Sequence, residues 1–227
     1  MADKRLEDLY PFLHGKKQEP VSQNAALIES VRQKAAHHLV TLEAFFAKND
    51  QVVVEAAKTI AGVYRNDHRL FTMGNGGSSC DASHVAVEFQ HPITAGRPAL
   101  TAIDLTNDRT MMTAVGNDIG FAHIYVRQLI AQAKCGDLLI GLSTSGNSAN
   151  LVRAFEKAKD MGLKTIGLAG MSGGEMAKLG LDHCLVVETD SIHRIQECHV
   201  TIYHILWDLV HTLLADDRGR LHVNAAE

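Results

Sequence analysis

The chain has 227 residues, 46% hydrophobic and 21% charged, with 22 Lys and Arg against 26 Asp and Glu for a formal net charge of −4. That is ordinary globular composition, with room for one α/β domain and a sizeable core, and without the basic block that would suggest direct nucleic-acid binding. Four scattered cysteines (Cys80, Cys135, Cys184, Cys198), with no CxxC pair and no apolar run approaching a membrane span, lead us to expect a reduced, cytoplasmic chain with no membrane association.

Residues 1–21, punctuated by Pro11 and Pro20, read as an N-terminal extension. Ser22 reads as a helix N-cap, with Leu27, Val31, Ala35, Leu39, Leu42, Phe45 and Phe46 following at helical spacing, and a second helix is expected from about Gln51 to Tyr64. Both are more apolar than a helix with one wet face requires. We therefore assign residues 22–66 to a helical part that serves oligomerisation. The pattern then changes. Short apolar runs at 69–74, 99–105, 137–143, 164–170 and 183–188 alternate with helical segments at 78–90, 108–115, 119–133, 148–161 and 194–215. Strands alternating with helices predict a parallel sheet covered on both faces over residues 67–216, a doubly wound, flavodoxin-like α/β core, with 217–227 left as a C-terminal tail.

Two strand ends are rich in groups that suit an anion. "MGNGGSS", Met73 to Ser79, combines glycines that let the backbone approach a ligand with the start of a helix, whose free N–H groups favour negative charge. "STSGNSAN", Ser143 to Asn150, gathers four hydroxyls, Ser143, Thr144, Ser145 and Ser148, at one strand-to-helix turn. A helix cap needs one hydroxyl, so four around Gly146 point to an oxyanion cradle. There is no GxxxxGK[ST], which argues against an NTPase. His84 and Glu88 are four residues apart and share a helix face. A second constellation, Gln196 and His204 with His199 between them, sits on the last helix. Eight residues of ideal helix rise about 12 Å, so Gln196 and His204 stand more than two turns apart.

Taken together, "GNGGSSCDASH", "GNDIGF", "STSGNSAN" and "RIQECH" resemble the sugar isomerase (SIS) family, and within it the phosphoheptose isomerases, over roughly residues 25–215. The resemblance implies that Ser143, Thr144, Ser145 and Ser148 hold a sugar phosphate. It implies that Asn75, Gly76, Gly77 and Ser78 line the sugar, with Asn117 and Asp118 close by. It also implies that His84, Glu88, Gln196 and His204 bind a divalent metal, usually zinc, with Glu88 and Gln196 touching the substrate as well. Glu88 and His204 would move protons between a ketose and an aldose, sedoheptulose 7-phosphate and D-glycero-D-manno-heptose 7-phosphate, through an enediol or enediolate. The family forms homotetramers with shared active sites. It also contains non-catalytic members, both sugar-phosphate sensors and adaptors of the bacterial replication initiator. The adaptors replace the glutamate and the last-helix histidine, and this chain keeps both. It departs from the family pattern at Pro92, where an arginine is usual, and at His193, where close relatives often carry aspartate. Arg97 stands near but at a different position.

Overall fold

The computed structural model describes residues 20–217, with side chains from Asn24 onward. The extension at 1–21 and the tail at 217–227 thus lie almost wholly outside the described residues. The first element is one helix, α1, Pro20–Arg65, where the sequence suggests two. Asn49 and Asp50, at the expected break, serve the helix instead of ending it. Asn49 Nδ2 donates back to the Phe45 carbonyl at 2.9 Å, and Asp50 Oδ1 accepts from the Gln51 N–H. Proline at the first helical position costs no hydrogen bond. The chain forms two compact units, one through Leu39 and one from Val40 onward. In the first, Leu27, Val31 and Leu39 are more than half exposed.

The second unit contains the sheet. Its strands are β1 Leu70–Gly74, β2 Ala102–Asp104, β3 Leu138–Ser143, β4 Lys164–Gly170 and β5 His183–Val187. All pairings are parallel, in the order β2-β1-β3-β4-β5. The helices are α2 Gly77–Gln90, α3 Arg109–Asp118, α4 Ile124–Gln132, α5 Ala149–Asp160 and α6 Ile192–Leu213. The stretch expected as one helix over 119–133 begins instead as a 3₁₀ turn, Phe121–His123, because Gly120 leaves the helix at φ 100°. Every residue of β1 and β3 is buried, as expected for strands sandwiched between helical layers. One face packs Ile60, Val85, Phe89, Ile202, Leu206 and their neighbours from α1, α2 and α6. The other packs Ile124, Leu129, Leu151 and Phe155 from α4 and α5. The doubly wound architecture matches expectation. In this order the chain runs from β1 outward to β2, then crosses back to β3. The crevice between the carboxyl ends of β1 and β3 is therefore the topological switch point, where open α/β sheets bind ligands.

His199 is fully buried where α6 meets β4. Its Nε2 lies 3.2 Å from the Ala169 carbonyl, while its Nδ1 has no hydrogen-bond partner. Burial pushes its pKa down to about 4, against about 6.5 in an unfolded chain. Between those values the unfolded chain binds more protons. This contribution is complete above pH 6.5 and is lost as pH falls toward 4, reaching a deficit of about 2 kcal/mol by pH 5. Urea midpoints at pH 7.5 and pH 5 are expected to differ more for the native chain than for His199→Gln, which keeps a donor for Ala169. Equal slopes would contradict this.

Candidate active site

Two helix N-termini open on the crevice, α2 after β1 and α5 after β3. Ser148 is the N-cap residue of α5, yet its side chain makes no capping bond. Its Oγ faces Ser143 Oγ at 3.3 Å instead. Ser143 Oγ accepts from the Gly146 N–H at 3.1 Å and Ser145 Oγ from the Asn147 N–H at 3.2 Å, so two hydroxyls shape the turn. Ser148 and Thr144 are not needed as caps. Together with the uncapped N–H groups of α5 they line a concavity whose donors suit an anion. Gly146 has φ 66° and is packed so closely that a Cβ there would lie 2.0 Å from the Gly173 carbonyl oxygen. The turn is braced by the loop after β4, through Met176 N–H to Gly146 O at 3.0 Å and Glu175 N–H to Asn147 Oδ1 at 2.9 Å.

On the β1 side, Asn75, Gly76, Gly77 and Ser78 form the turn into α2. Gly77 is pressed against α6, since a Cβ there would meet Gln196 Nε2 at 2.2 Å. Further along, His84 Nδ1 lies 2.8 Å from Tyr203 Oη, and Trp207 Nε1 donates to the Glu88 carbonyl at 2.8 Å. The two helices thus lie side by side and point the same way. About two turns into α2, His84 Nε2 and Glu88 Oε1 are 3.0 Å apart, and the His84 and His204 rings are 5.0 Å apart. One ligand atom from each of His84, Glu88 and His204 lies within 4.8 Å of the others, all half-buried. Two imidazoles and a carboxylate converging so closely fit a first-row divalent ion. Burial, and then the neighbouring His84, lower the His204 pKa against the opposing pull of Glu88, which favours the neutral ring that a ligand or a proton acceptor needs.

Gln196 stands against Gly77, about two turns back along α6 from His204, on the side of the glycine turn. Asn117 and Asp118 lie exposed at the end of α3, hydrogen-bonded to each other at 2.9 Å, and among the described residues no hydrogen bond ties them to the hydroxyl turn or the triad.

A SIS domain model matches residues 35–170. The chain is 44% identical to the phosphoheptose isomerase of Sulfurimonas denitrificans over 158 residues, covering 70% of this chain and 80% of the relative. It is 40% identical to that of Nitratidesulfovibrio vulgaris strain Hildenborough over 195 residues, covering 84% and 93%. Among solved structures, phosphoheptose isomerase from Neisseria gonorrhoeae superposes with a TM-score of 0.77 at 34% identity, covering 82% of this chain and 99% of that one. The chain belongs to the SIS domain family.

Its relatives place it with the phosphoheptose isomerases of that family. The domain match ends at residue 170, so the α6 residues rest on the longer relatives and on the geometry. Arg97, five residues after Pro92, packs on α6. Its guanidinium lies 4.3 Å over the Trp207 ring and pairs with Asp208 at 2.6 Å. Sequence reasoning missed two residues beside the triad. Tyr203 holds His84 by its second nitrogen. Asp81 sits one turn before His84, with its carboxyl pushed up to about 6 by burial against the opposing pull of His84, and its Oδ2 unpartnered. The signal for Asp81 was its i, i+3 spacing to His84. For Tyr203 it was adjacency to His204.

Proposed function

We propose that this sugar-phosphate isomerase interconverts sedoheptulose 7-phosphate and D-glycero-D-manno-heptose 7-phosphate through an enediolate. The observation that carries the chemistry is the convergence of Glu88 and His204 with His84 on α2, which begins at the ligand crevice, and on α6, which lies beside it. The seven-carbon sugar rests on the relatives' names.

In this reading the hydroxyls of Ser143, Thr144, Ser145 and Ser148 and the N-terminus of α5 grip the phosphate. Asn75, Gly76, Gly77, Ser78 and Gln196 meet the sugar, with Asn117 and Asp118 at its margin. Glu88 Oε1 is engaged by His84, while Oε2 accepts no hydrogen bond from a described residue and is available as a base. Glu88 takes the proton from C1 of the ketose and the C1–C2 double bond forms. Neutral His204 takes the O1 proton and passes it to O2. Glu88 then returns its proton to C2, leaving the C1 aldehyde. His84, Glu88 and His204 would hold a divalent ion, most simply Zn²⁺, with Gln196 the fourth family ligand. Such an ion would supply Lewis acidity to the reaction. Incubating the protein with sedoheptulose 7-phosphate should yield an aldose anomeric signal by proton NMR, abolished by chelation and restored by zinc. A chelation-insensitive enzyme would overturn the metal assignment, and no aldose would overturn the substrate.

Tyr203 fixes the His84 ring through Nδ1, leaving Nε2 for the ion. Tyr203→Phe is expected to weaken zinc binding about 10-fold to 100-fold in competition with a fluorescent chelator. Unchanged affinity would remove Tyr203 from the site. We further propose a cytoplasmic homotetramer whose active sites are shared between subunits. The exposed Leu27, Val31 and Leu39 on α1 support the association, and among the described residues no helix is long and apolar enough to cross a membrane.

A further inference from the structure

Asn75 follows β1 and Asn150 lies in the first turn of α5, 75 residues apart in the chain. Their carboxamides face each other and exchange two hydrogen bonds. Asn75 Nδ2 donates to Asn150 Oδ1 at 2.9 Å, and Asn150 Nδ2 donates to Asn75 Oδ1 at 2.8 Å. Which end of each amide is oxygen is decided by the backbone. Asn150 Oδ1 also accepts from the Leu151 N–H at 3.1 Å, which only an oxygen can do. Asn150 must then present its nitrogen to Asn75, and Asn75 must answer with its oxygen. Tyr125 Oη, which donates to the Gly74 carbonyl, packs 3.4 Å from the same Asn75 oxygen. Asn150 is 2% exposed, so it does not itself meet a ligand, whereas Asn75 is half-buried at the crevice.

We infer that Asn150 is a positioning residue, which ties the sugar turn to the phosphate cradle and fixes Asn75 with one N–H turned to the ligand as a donor. This rests on the isomerase reading above. Without Asn150, the Asn75 amide is free to rotate and offer its oxygen where the substrate needs a donor. The arrangement also sets the spacing between the two loops, since Asn150 lies two residues beyond the cradle's Ser148.

Asn150→Ala is expected to raise KM for the sugar phosphate about tenfold with the folded fraction unchanged, where simple structural damage would lower kcat through loss of folded enzyme. Asn150→Asp gives a reading that damage would not. As a carboxylate it sets an acceptor against Asn75 Oδ1, and as a neutral acid it restores the donor and closes the same two-bond pair. Its KM, divided by that of the native chain, should be high at pH 8.5 and fall toward one as pH drops through the new carboxyl's pKa. In the native chain, one Asn75 side-chain N–H proton should resonate downfield and exchange slowly, and lose both properties in Asn150→Ala. A flat KM ratio across pH, or an Asn75 amide that exchanges fast in the native chain, would overturn the inference. Failure of the isomerase reading would appear separately, as no turnover by the native chain, and the amide signals would then decide this inference alone.

Discussion

Glu88→Gln is expected to lower kcat/KM by about 10³-fold or more while leaving the fold intact. The substitution keeps the size and one acceptor oxygen, but an amide cannot take a proton from carbon, and positioned general bases contribute about 10²- to 10⁴-fold. The carboxylate is also one of three groups whose atoms lie within 4.8 Å of each other, so the change removes a charged ligand as well. Stability should hardly move. His84 and Glu88 are an i, i+4 pair on a partly exposed helix face, worth a few tenths of a kcal/mol. The check is steady-state kinetics beside thermal unfolding. Activity within tenfold of the native chain would take the base away from Glu88.

Gly146→Ala should damage stability and substrate binding together. At φ 66° an alanine is strained, and its Cβ would stand 2.0 Å from the Gly173 carbonyl oxygen and 2.5 Å from its carbon. These are backbone atoms, and the loop that carries them is fastened to the turn by the Met176 and Glu175 N–H groups. The loop cannot yield without giving up those bonds. Strain and crowding together cost about 3 kcal/mol. The same movement carries away the Gly146 N–H that Ser143 Oγ accepts, so the cradle changes shape. KM should rise at least about tenfold, by the loss of one or more charge-assisted hydrogen bonds. Urea unfolding reads the first effect and steady-state KM the second. Destabilisation with an unchanged KM would mean that the phosphate is held elsewhere.

The core was legible because its signals are local. Buried parallel strands read as continuous apolar runs, and "LLIGLS" could hardly be anything else between a turn and a helix cap. The hydroxyl-rich turn was legible because four hydroxyls exceed what one helix cap uses. What escaped depends on partners far apart in sequence. Asn150 was in plain view in "STSGNSAN", but nothing there says that its amide answers Asn75 across 75 residues. Gln196 and His204 share a helix, yet their different neighbours on α2, Gly77 and His84, are set by the packing of α6. The single α1 was missed because Asn49 and Asp50 usually compete with helix backbone, and here they bond to it.

The central claim is that Glu88 and His204 move protons between adjacent carbons and oxygens of a sugar phosphate. The most direct measurement is proton NMR of the purified protein in D2O with sedoheptulose 7-phosphate, beside a Glu88→Gln sample. The account predicts deuterium beside the carbonyl and a growing aldose signal in the native sample, and neither in the variant. Exchange that persists in Glu88→Gln, or an aldose that forms with no solvent deuterium at carbon, would contradict it.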